Sequence, residues 1–184
     1  ETTIENVDFV GGRNMIVLDN ARVTIRRCTF RRSLRNGVVA AGAGSTGRIE
    51  LCLFEANAVF AVVTEGGSQP TVIRNTIINA GDCGIYVDSN ASVTANNVWR
   101  AGNIGIVVFG RATAPSIRCN NAYLSGSTNY GGSNVGMIDL NLNYALPPLF
   151  CPGQGIYSIQ SGSPLAELNS GGCGVIGAFE IGCD

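Results

Sequence analysis

The sequence predicts an all-β fold in which the chain winds into a parallel β-helix, and its internal repetition is the first reason. The segments NTIINAGDCGIYV, from Asn75, and NNVWRAGNIGIVV, from Asn96, share an Asn, an Ala-Gly turn and a Gly-Ile-x-Val ending, 21 residues apart. Repeats of about 20 to 50 residues are typical of solenoid proteins. Short β-branched runs alternate with clusters of Gly, Asn, Ser and Asp, and no helical pattern interrupts them, which favours strands and turns as the repeating unit.

An apolar, mostly aromatic position recurs along the chain at intervals of 21 or 24 residues. It is occupied by Phe9, Phe30, Phe54, Ile78, Trp99 and Tyr123. Because each coil of a β-helix lies about 4.8 Å from the previous one, equal positions in successive repeats become columns of touching side chains. We interpret this column as a core stack rather than a sugar-stacking surface, since it falls at a buried-type position in every repeat.

Three further columns follow from the same register. The predicted inward column contains Ile4, Ile25, Ile49, Ile73 and Thr94, and its outward neighbour contains Glu5, Arg26, Glu50 and Arg74. The outward charges alternate in sign from coil to coil, which stabilises the pairing and disfavours a slip by one coil. Asn75, Asn96 and Asn120 are predicted to stack their amides, bonding to one another and to turn backbone.

The composition excludes several functional classes. The chain has 184 residues and no His, and all 12 of its basic residues are Arg, so mechanisms that need an imidazole or a lysine amine are excluded. A net charge of −1 with 14% charged residues indicates neither nucleic acid nor a membrane surface as a partner. No apolar run approaches the roughly 20 residues of a membrane span. Since no initiator Met or signal peptide opens the sequence, we expect a processed chain or the C-terminal part of a longer one.

The coil phrases and the C-terminal sequence together resemble a known family. The ending PPLFCPGQGIYSIQSGSPLAELNSGGCGVIGAFEIGC carries Pro-Leu-Phe, Gly-Ser-Pro and Ile-Gly-Ala-Phe phrases similar to the closing segment of secreted bacterial β-helix proteins. With the repeats, it resembles the pectate-lyase-like superfamily. The resemblance implies a single-stranded right-handed parallel β-helix of about five to seven coils with an irregular C-terminal cap. We expect a single domain, with coils in residues 1–125 and the last coil and a Cys-, Gly- and Pro-rich cap in residues 126–184.

The active-site motifs of that superfamily are missing from this chain. Polygalacturonases carry Asn-Thr-Asp, paired Asp, Gly-His-Gly and Arg-Ile-Lys motifs, whereas the NTI phrase at Asn75 places Ile77 where the catalytic Asp stands. Elimination by a pectate lyase needs clustered carboxylates for Ca²⁺ and an Arg or Lys base, and no Asp cluster falls on one face. Alginate lyases of this fold use a Lys and Arg pair, which a chain without Lys lacks. We therefore predict no catalytic residues and no cofactor.

A belt of arginines is the main charge feature. Six Arg fall within fourteen residues of one coil: Arg22, Arg26, Arg27, Arg31, Arg32 and Arg35. Such a belt could bind carboxylated or sulfated glycans through bidentate contacts. The alternative, which we favour, is a solvated face partly neutralised by Glu5, Glu50 and Glu55.

A weaker candidate site is the DLNLN segment. Asp139, Asn141 and Asn143 fall on one side of an extended strand and could donate oxygens to Ca²⁺. The segment lacks the Gly and the distal Glu of a calcium loop, so a solvated strand face is the favoured interpretation.

Seven cysteines without metal-ligand spacing favour an oxidising, extracellular location. We predict one disulfide among Cys151, Cys173 and Cys183, because irregular backbone gains most from a covalent link. Cys28 and Cys52 share an inward column in adjacent coils, where two buried thiols and a disulfide are equally consistent with the pattern. Cys83 and Cys119 fall near turns and stay unassigned.

Three functional hypotheses follow from these observations. The first is a secreted, non-catalytic surface or matrix module that contacts polysaccharide, and it leads because the scaffold signals agree while the active-site motifs are missing. The second is an extracellular filament subunit that self-associates through the exposed strand edge of its N-terminal coil. The third is a lyase-like enzyme that acts on uronate polymers with Arg as its base.

Overall fold

The computed structural model describes residues 2–153 and 157–184 and consists of a parallel β-solenoid. Coils 1 to 3 contain β1 Thr2–Glu5, β2 Asp8–Val10, β3 Asn14–Asp19; β4 Val23–Arg26, β5 Thr29–Arg31, β6 Asn36–Ala41; and β7 Arg48–Glu50, β8 Leu53–Glu55, β9 Phe60–Thr64. Coils 4 to 6 contain β10 Thr71–Ile73, β11 Thr76–Ile78, β12 Ile85–Val87; β13 Ser92–Thr94, β14 Asn97–Trp99, β15 Ile104–Val108; and β16 Ser116–Arg118, β17 Asn121–Tyr123, β18 Thr128–Gly131. A 3₁₀ helix at Val135–Met137 and the short strands β19 Ile159–Gln160 and β20 Ile181–Cys183 follow.

The strands form three parallel sheets that run along the solenoid. The first strand of each coil joins sheet A, the second sheet B and the third sheet C. This confirms the predicted all-β parallel β-helix. With the turns that follow β18, the solenoid has about eight turns, slightly more than the five to seven predicted. The core lies between the sheets, where Ile25, Ile49, Val72 and Val93 succeed one another fully buried.

The predicted aromatic column was wrong in its second half. Phe9, Phe30 and Phe54 pair in register and stack inside the core, with ring centroids 4.9 and 4.7 Å apart. Phe54 pairs with Ile77, however, because the step from coil 3 to coil 4 is 23 residues rather than 24. A one-residue shift moves side chains to the other face of a sheet. The outward column therefore contains Val10, Arg31, Glu55, Ile78, Trp99 and Tyr123.

The same shift changes the columns of sheet A. Ile49 pairs with Val72, and Ile73 pairs with Glu50, so Ile73 takes the outward place that the sequence assigned to Arg74. The alternation of charge that begins at Glu5 therefore stops at Glu50.

The predicted asparagine stack is confirmed and is longer than expected. The backbone N–H of Asn75 donates to the side-chain oxygen of Asn96, that of Asn96 to Asn120, and that of Asn120 to Asn143, each at 3.0 Å. The side-chain amides also donate up the stack, at 2.9 to 3.1 Å. Asn75, Asn96 and Asn120 are fully buried. We call this column the amide ladder, and it fixes the corner between sheets A and B in coils 4 to 6 and in the turn that follows.

Non-glycine residues take a left-handed backbone at the corner before the amide ladder. This position has φ between 51° and 58° in every coil and is occupied by Asn6, Arg27, Leu51, Arg74, Ala95 and Cys119. A second corner, after sheet B, has φ between 53° and 58° at Arg32, Ala56, Asn79, Arg100 and Leu124. A side chain in this conformation costs roughly 1 to 2 kcal/mol relative to ordinary backbone, so hydrogen bonding across the coils has to stabilise these corners.

The C-terminal segment was expected to cover the end of the solenoid, but most of it lies along the side. We call residues 147–153 and 157–184 the strap. Its contacts run back from coil 6 to coil 3: the backbone of Gly177 bonds to Ala95, that of Ala178 to Thr76, and the hydroxyl of Tyr157 to Glu55. The strap has its own buried cluster of Ile159, Leu165, Ala166 and Ile176. It covers the outer face of sheet B, and Ile78 is buried although its side chain points outward.

Two disulfides hold the strap. Cys119, at a corner of coil 6, is bonded to Cys173, and Cys151 is bonded to Cys183. The disulfide expected among Cys151, Cys173 and Cys183 is therefore the Cys151–Cys183 bond, while Cys173 pairs with a cysteine that the sequence left unassigned. In the described chain Cys28, Cys52 and Cys83 are free and buried.

Candidate functional site

Three aromatic side chains form a line across the outer face of sheet C. The ring centroids of Phe60 and Tyr86 are 5.1 Å apart, and those of Tyr86 and Phe109 are 5.2 Å apart. Phe109 is 37% exposed, and the other two are half-buried. We call these three residues the aromatic line. Unlike the stack that begins at Phe9, it presents ring surface to solvent.

The register of sheet C sets the direction of the aromatic line. Phe60 begins β9, Tyr86 lies in the middle of β12 opposite Val63, and Phe109 follows the end of β15. Each ring therefore lies further along its strand than the ring in the previous coil. The aromatic line crosses sheet C diagonally through coils 3, 4 and 5.

A groove of about 370 Å³ lies beside the aromatic line, and we call it the sheet C groove. Phe60 and Tyr86 line one side, and Val39 and Val63 contribute apolar surface. Polar side chains complete its lining: Asn14, Arg35, Asn36 and Glu65. Apolar surface with a few placed polar groups is the usual make-up of a ligand site.

Hydrogen bonds hold the two groove asparagines in place. The amide of Asn36 donates to the side-chain oxygen of Asn14 at 3.0 Å, and its own oxygen accepts the backbone N–H of Phe60 at 3.3 Å. Asn36 is buried, so its orientation is fixed. Arg35 and Glu65, by contrast, are exposed and bring a cation and a carboxylate to the same groove.

Charged groups surround Tyr86 on the far side of the groove. Burial, and then the carboxylates of Asp88 and Glu65, raise the pKa of Tyr86, so its hydroxyl stays protonated near neutral pH. Asp88 accepts the backbone N–H of Arg111 at 2.7 Å, and the Arg111 guanidinium lies 3.7 Å from the same carboxylate. The face thus offers a phenol donor, carboxylate acceptors and guanidinium groups around an apolar line.

This arrangement suits a ligand that has both flat apolar faces and hydroxyl groups. Aromatic rings stack on the C–H face of a pyranose, while Asn, Arg and Glu side chains bind its hydroxyls.

The arginine belt is distributed around the solenoid rather than gathered on one face. One coil passes through all three sheets in about 21 to 24 residues, so fourteen residues span more than one sheet. Arg26 bonds to Glu5 at 2.7 Å on sheet A, and Arg31 lies 3.2 Å from Glu55 and 3.3 Å from Asp8 on sheet B. Arg35 lines the sheet C groove. The exposed side chains of Arg22 and Arg32 lie at other positions of the same coil.

A second groove, of about 470 Å³, lies where the strap ends against coils 2 to 4, and we call it the strap groove. It is lined by Arg27, Cys28, Thr29, Leu51, Leu53, Arg74 and residues 178–180. Both of its arginines have carboxylate partners: Arg27 bonds to Glu5 at 3.0 Å, and Arg74 to Glu180 at 2.5 Å. The hydrogen bond from Arg26 lowers the pKa of Glu5, so this carboxylate stays ionised.

The DLNLN segment places its three side chains in different roles. Asn143 is buried, and its oxygen accepts from Asn120 as part of the amide ladder. Asp139 instead accepts the backbone N–H and the amide of Asn141 at 2.9 and 3.2 Å. The favoured interpretation of this segment as a solvated strand face is wrong for Asn143, which is buried, and the weaker calcium alternative for Asp139, Asn141 and Asn143 stays a prediction. No group of three or more His, Cys, Asp or Glu that could hold a metal occurs in residues 2–153 and 157–184.

The family model of the right handed beta helix region matches residues 1–144. The chain belongs to this right-handed β-helix family. Comparisons with curated proteins and with solved structures gave no match. The family match covers coils 1 to 6, including the sheet C groove, and ends before the strap. Among the described residues, no helix is long and apolar enough to cross a membrane.

Sequence reasoning missed the aromatic line because its members differ in their offset within the repeat. A search for equal positions finds columns, whereas Phe60 and Tyr86 occupy different positions of the third strand and Phe109 lies just after it. The available signal was local: an aromatic residue within or beside the third-strand phrase of three successive repeats.

Proposed function

We propose that the β-helix is an extracellular, non-catalytic module that binds polysaccharide on the outer face of sheet C. The single observation that carries this proposal is the aromatic line beside the sheet C groove. Stacking on aromatic rings supplies affinity, and the asparagine, arginine and glutamate side chains supply hydrogen bonds that orient the sugar. Two disulfides are compatible with an extracellular location.

Arg35 connects this proposal with the arginine belt. It is the belt residue that lines the sheet C groove, and Arg111 lies at the other end of the aromatic line. Two guanidinium groups flanking the rings favour a glycan that carries carboxylates, because Arg binds carboxylates with paired hydrogen bonds. We therefore expect uronate-containing polymers to bind more tightly than neutral ones of the same linkage.

Affinity electrophoresis against a panel of neutral and uronate polysaccharides tests the proposal. Tyr86→Ala and Phe60→Ala are each expected to weaken binding at least about fivefold, since stacking contributes roughly 1 kcal/mol or more per ring and about 1.4 kcal/mol corresponds to a factor of ten. Tyr123→Ala is the matched control, because Tyr123 is a half-buried outward tyrosine on sheet B. Equal binding by Tyr86→Ala and the parent protein would exclude the aromatic line as the binding surface.

The same samples address the two alternative functions. A rise in absorbance from unsaturated uronate products during incubation would favour the lyase-like hypothesis. If Arg35 is the base of that reaction, Arg35→Gln should abolish the product. Negative-stain electron microscopy over a concentration series would reveal regular fibres if the protein were a filament subunit. We expect neither product nor fibres.

A further inference from the structure

Two sulfur atoms continue the amide ladder toward the N-terminus. Cys28 and Cys52 occupy the same column in coils 2 and 3, because Arg26 pairs with Glu50 and Thr29 with Leu53 on either side of them. The backbone N–H of Cys52 donates to Asn75 at 3.0 Å, so the ladder begins directly above this residue. By its place in the column, the Cys52 side chain occupies the position that an asparagine side chain holds further up.

The thiols also follow the donor pattern of the asparagines. Cys28 donates to the carbonyl of Arg26 at 3.3 Å, and Cys52 to the carbonyl of Glu50 at 3.2 Å, each two residues back. The amide of Asn96 makes the same contact with Thr94 at 3.1 Å. Thiols are weak donors and weak acceptors, so they bind this corner less strongly than amides do. They add a property that amides lack, which is reversible covalent bonding.

The spacing of the two cysteines suits a disulfide. Neighbouring parallel strands lie about 4.8 Å apart, within the roughly 4.4 to 6.8 Å between Cα atoms that a disulfide spans. Both existing disulfides involve the strap, so no cross-link among the described residues joins one coil to the next.

The two thiols differ in access and in proton affinity. Cys28 is 1% exposed but lines the strap groove, beside Arg27 and Arg74, whereas Cys52 is fully buried and does not line it. The hydrogen bond between them lowers the pKa of Cys28 to about 6 and raises that of Cys52. Cys28 is therefore the thiolate that an incoming reagent meets, and Cys52 is placed to resolve the product.

We propose that Cys28 and Cys52 form a redox-active dithiol that closes a disulfide between coils 2 and 3 when a small disulfide, such as oxidised glutathione, enters the strap groove. The Cys28 thiolate attacks one sulfur of the reagent, which releases one glutathione thiolate and leaves glutathione bonded to Cys28. Cys52 then loses its proton to solvent and attacks the Cys28 sulfur, which releases the second glutathione. Two electrons pass from the cysteines to the reagent, and its two thiolates take up two protons.

Thiol counting on the full chain tests this proposal. The protein is equilibrated with a series of reduced to oxidised glutathione ratios, alkylated in denaturant and examined by mass spectrometry and non-reducing peptide mapping. We expect the three free thiols to fall to one as the ratio becomes oxidising, with a new peptide linking Cys28 and Cys52. The Cys52→Ser variant should stop with one glutathione on Cys28, and Cys28→Ser should react at least about tenfold more slowly, since neither Cys52 nor Cys83 lines the strap groove.

Cys83→Ser is the matched control, because it removes the third free thiol without touching the pair, and it should form the same link as the parent. Three thiols retained at every ratio in the parent and the control would overturn the proposal. A link between Cys28 and Cys83, or equal reaction rates for Cys28→Ser and Cys52→Ser, would also overturn it. The parent and Cys83→Ser leave both sulfurs intact, so misfolding of the other variants cannot decide the result.

Discussion

The side-chain oxygen of Asn120 accepts two hydrogen bonds from Asn96, one from its backbone N–H at 3.0 Å and one from its amide at 2.9 Å. The Asn96 amide also donates to the carbonyl of Val72 at 2.9 Å. Asn96 is thus bonded to the coil before it and the coil after it, in a place that water does not reach. Hydrogen bonds of this kind contribute most through the cost of leaving a buried partner unsatisfied.

Replacing Asn96 by Ala should lower the free energy of unfolding by about 2 to 4 kcal/mol. The change leaves the buried backbone and amide N–H groups of Asn75 without their acceptor, and each such group costs roughly 1 to 3 kcal/mol. Urea unfolding followed by circular dichroism measures the loss. Asn103→Ala is the control, because Asn103 is exposed and bonds to Asp82 in solvent, and it should change stability by less than about 0.5 kcal/mol. Equal losses in both variants would show that the ladder does not stabilise the coils.

Replacing Ala56 by Gly should leave stability unchanged or raise it by up to about 1 kcal/mol. Ala56 is exposed and has φ of 53°, a conformation that Gly adopts without the penalty of a side chain. The gain is offset by the greater freedom of Gly in the unfolded chain. Thermal and urea unfolding measure the change in stability. The control is Ala58→Gly, because Ala58 is a nearby exposed residue outside the left-handed corners, and this change should destabilise the protein. A larger loss for Ala56→Gly than for Ala58→Gly would contradict the strain assigned to this corner.

The ion pair of Glu5 with Arg26 should make stability depend on acidic pH. The pKa of Glu5 is lowered in the folded protein, chiefly by the Arg26 hydrogen bond, so its contribution is present above the ordinary pKa of about 4.5. The contribution is lost as pH falls through the lowered folded value. Glu5→Gln should therefore lower the Tm at pH 7 but not at the acid end of a pH series. A flat Tm difference between Glu5→Gln and the parent protein across the whole pH series would refute the coupling.

The hydrogen bond of Tyr157 should make stability fall as pH rises into the alkaline range, which is the reverse of the Glu5 effect. Burial, followed by the hydrogen bond from its hydroxyl to Glu55, raises the pKa of Tyr157 to about 12. Its contribution is present below the ordinary tyrosine pKa of about 10 and is lost as pH rises from there toward the folded value. Tyr157→Phe should lower the Tm at pH 8, and the difference should shrink toward pH 12. Spectroscopic titration should show one late-ionising tyrosine missing from the variant, and an unchanged titration curve would contradict the assignment.

Periodic features could be predicted from the sequence, and aperiodic ones could not. The phrases that begin at Asn75 and Asn96 match position by position and lie one coil apart. The solenoid, the amide ladder and the inward direction of its side chains could therefore be predicted from them. The register between coils 3 and 4 could not be obtained that way, since the loop before Thr71 shortens the step by one residue and the outward side chain changes from Arg74 to Ile73. The strap has no repeat, and its place on sheet B depends on tertiary contacts such as the one between Tyr157 and Glu55.

At the candidate site, the aromatic line is an aperiodic feature and could not be predicted from the repeat. The binding proposed on sheet C depends on a diagonal relation between three coils, and a diagonal has no signature at equal positions of a repeat. Arg35 was predicted as a site residue for its charge, and the structure gives it aromatic neighbours. Its partners could be found only once the strand register of sheet C was known.

Removing the disulfide between Cys119 and Cys173 should loosen the strap while the coils stay folded. The bond closes a separation of 54 residues, and its loss should cost about 4 kcal/mol of stability by loop entropy. Trp99 is the only tryptophan, and its ring packs edge-on against Phe150 of the strap at 5.3 Å. A variant with both Cys119→Ser and Cys173→Ser should therefore shift the Trp99 emission to longer wavelength in native buffer, with the far-UV circular dichroism of the coils retained.

Cys83→Ser is the control for that experiment, because it removes a buried coil thiol that is in neither disulfide. Its Trp99 emission should match that of the parent. If the double variant loses stability but keeps the parent emission, the disulfide acts only on the unfolded chain, and the remaining contacts hold the strap. In that case the Arg74 to Glu180 ion pair and the backbone bonds of Gly177 and Ala178 would be sufficient to keep sheet B covered.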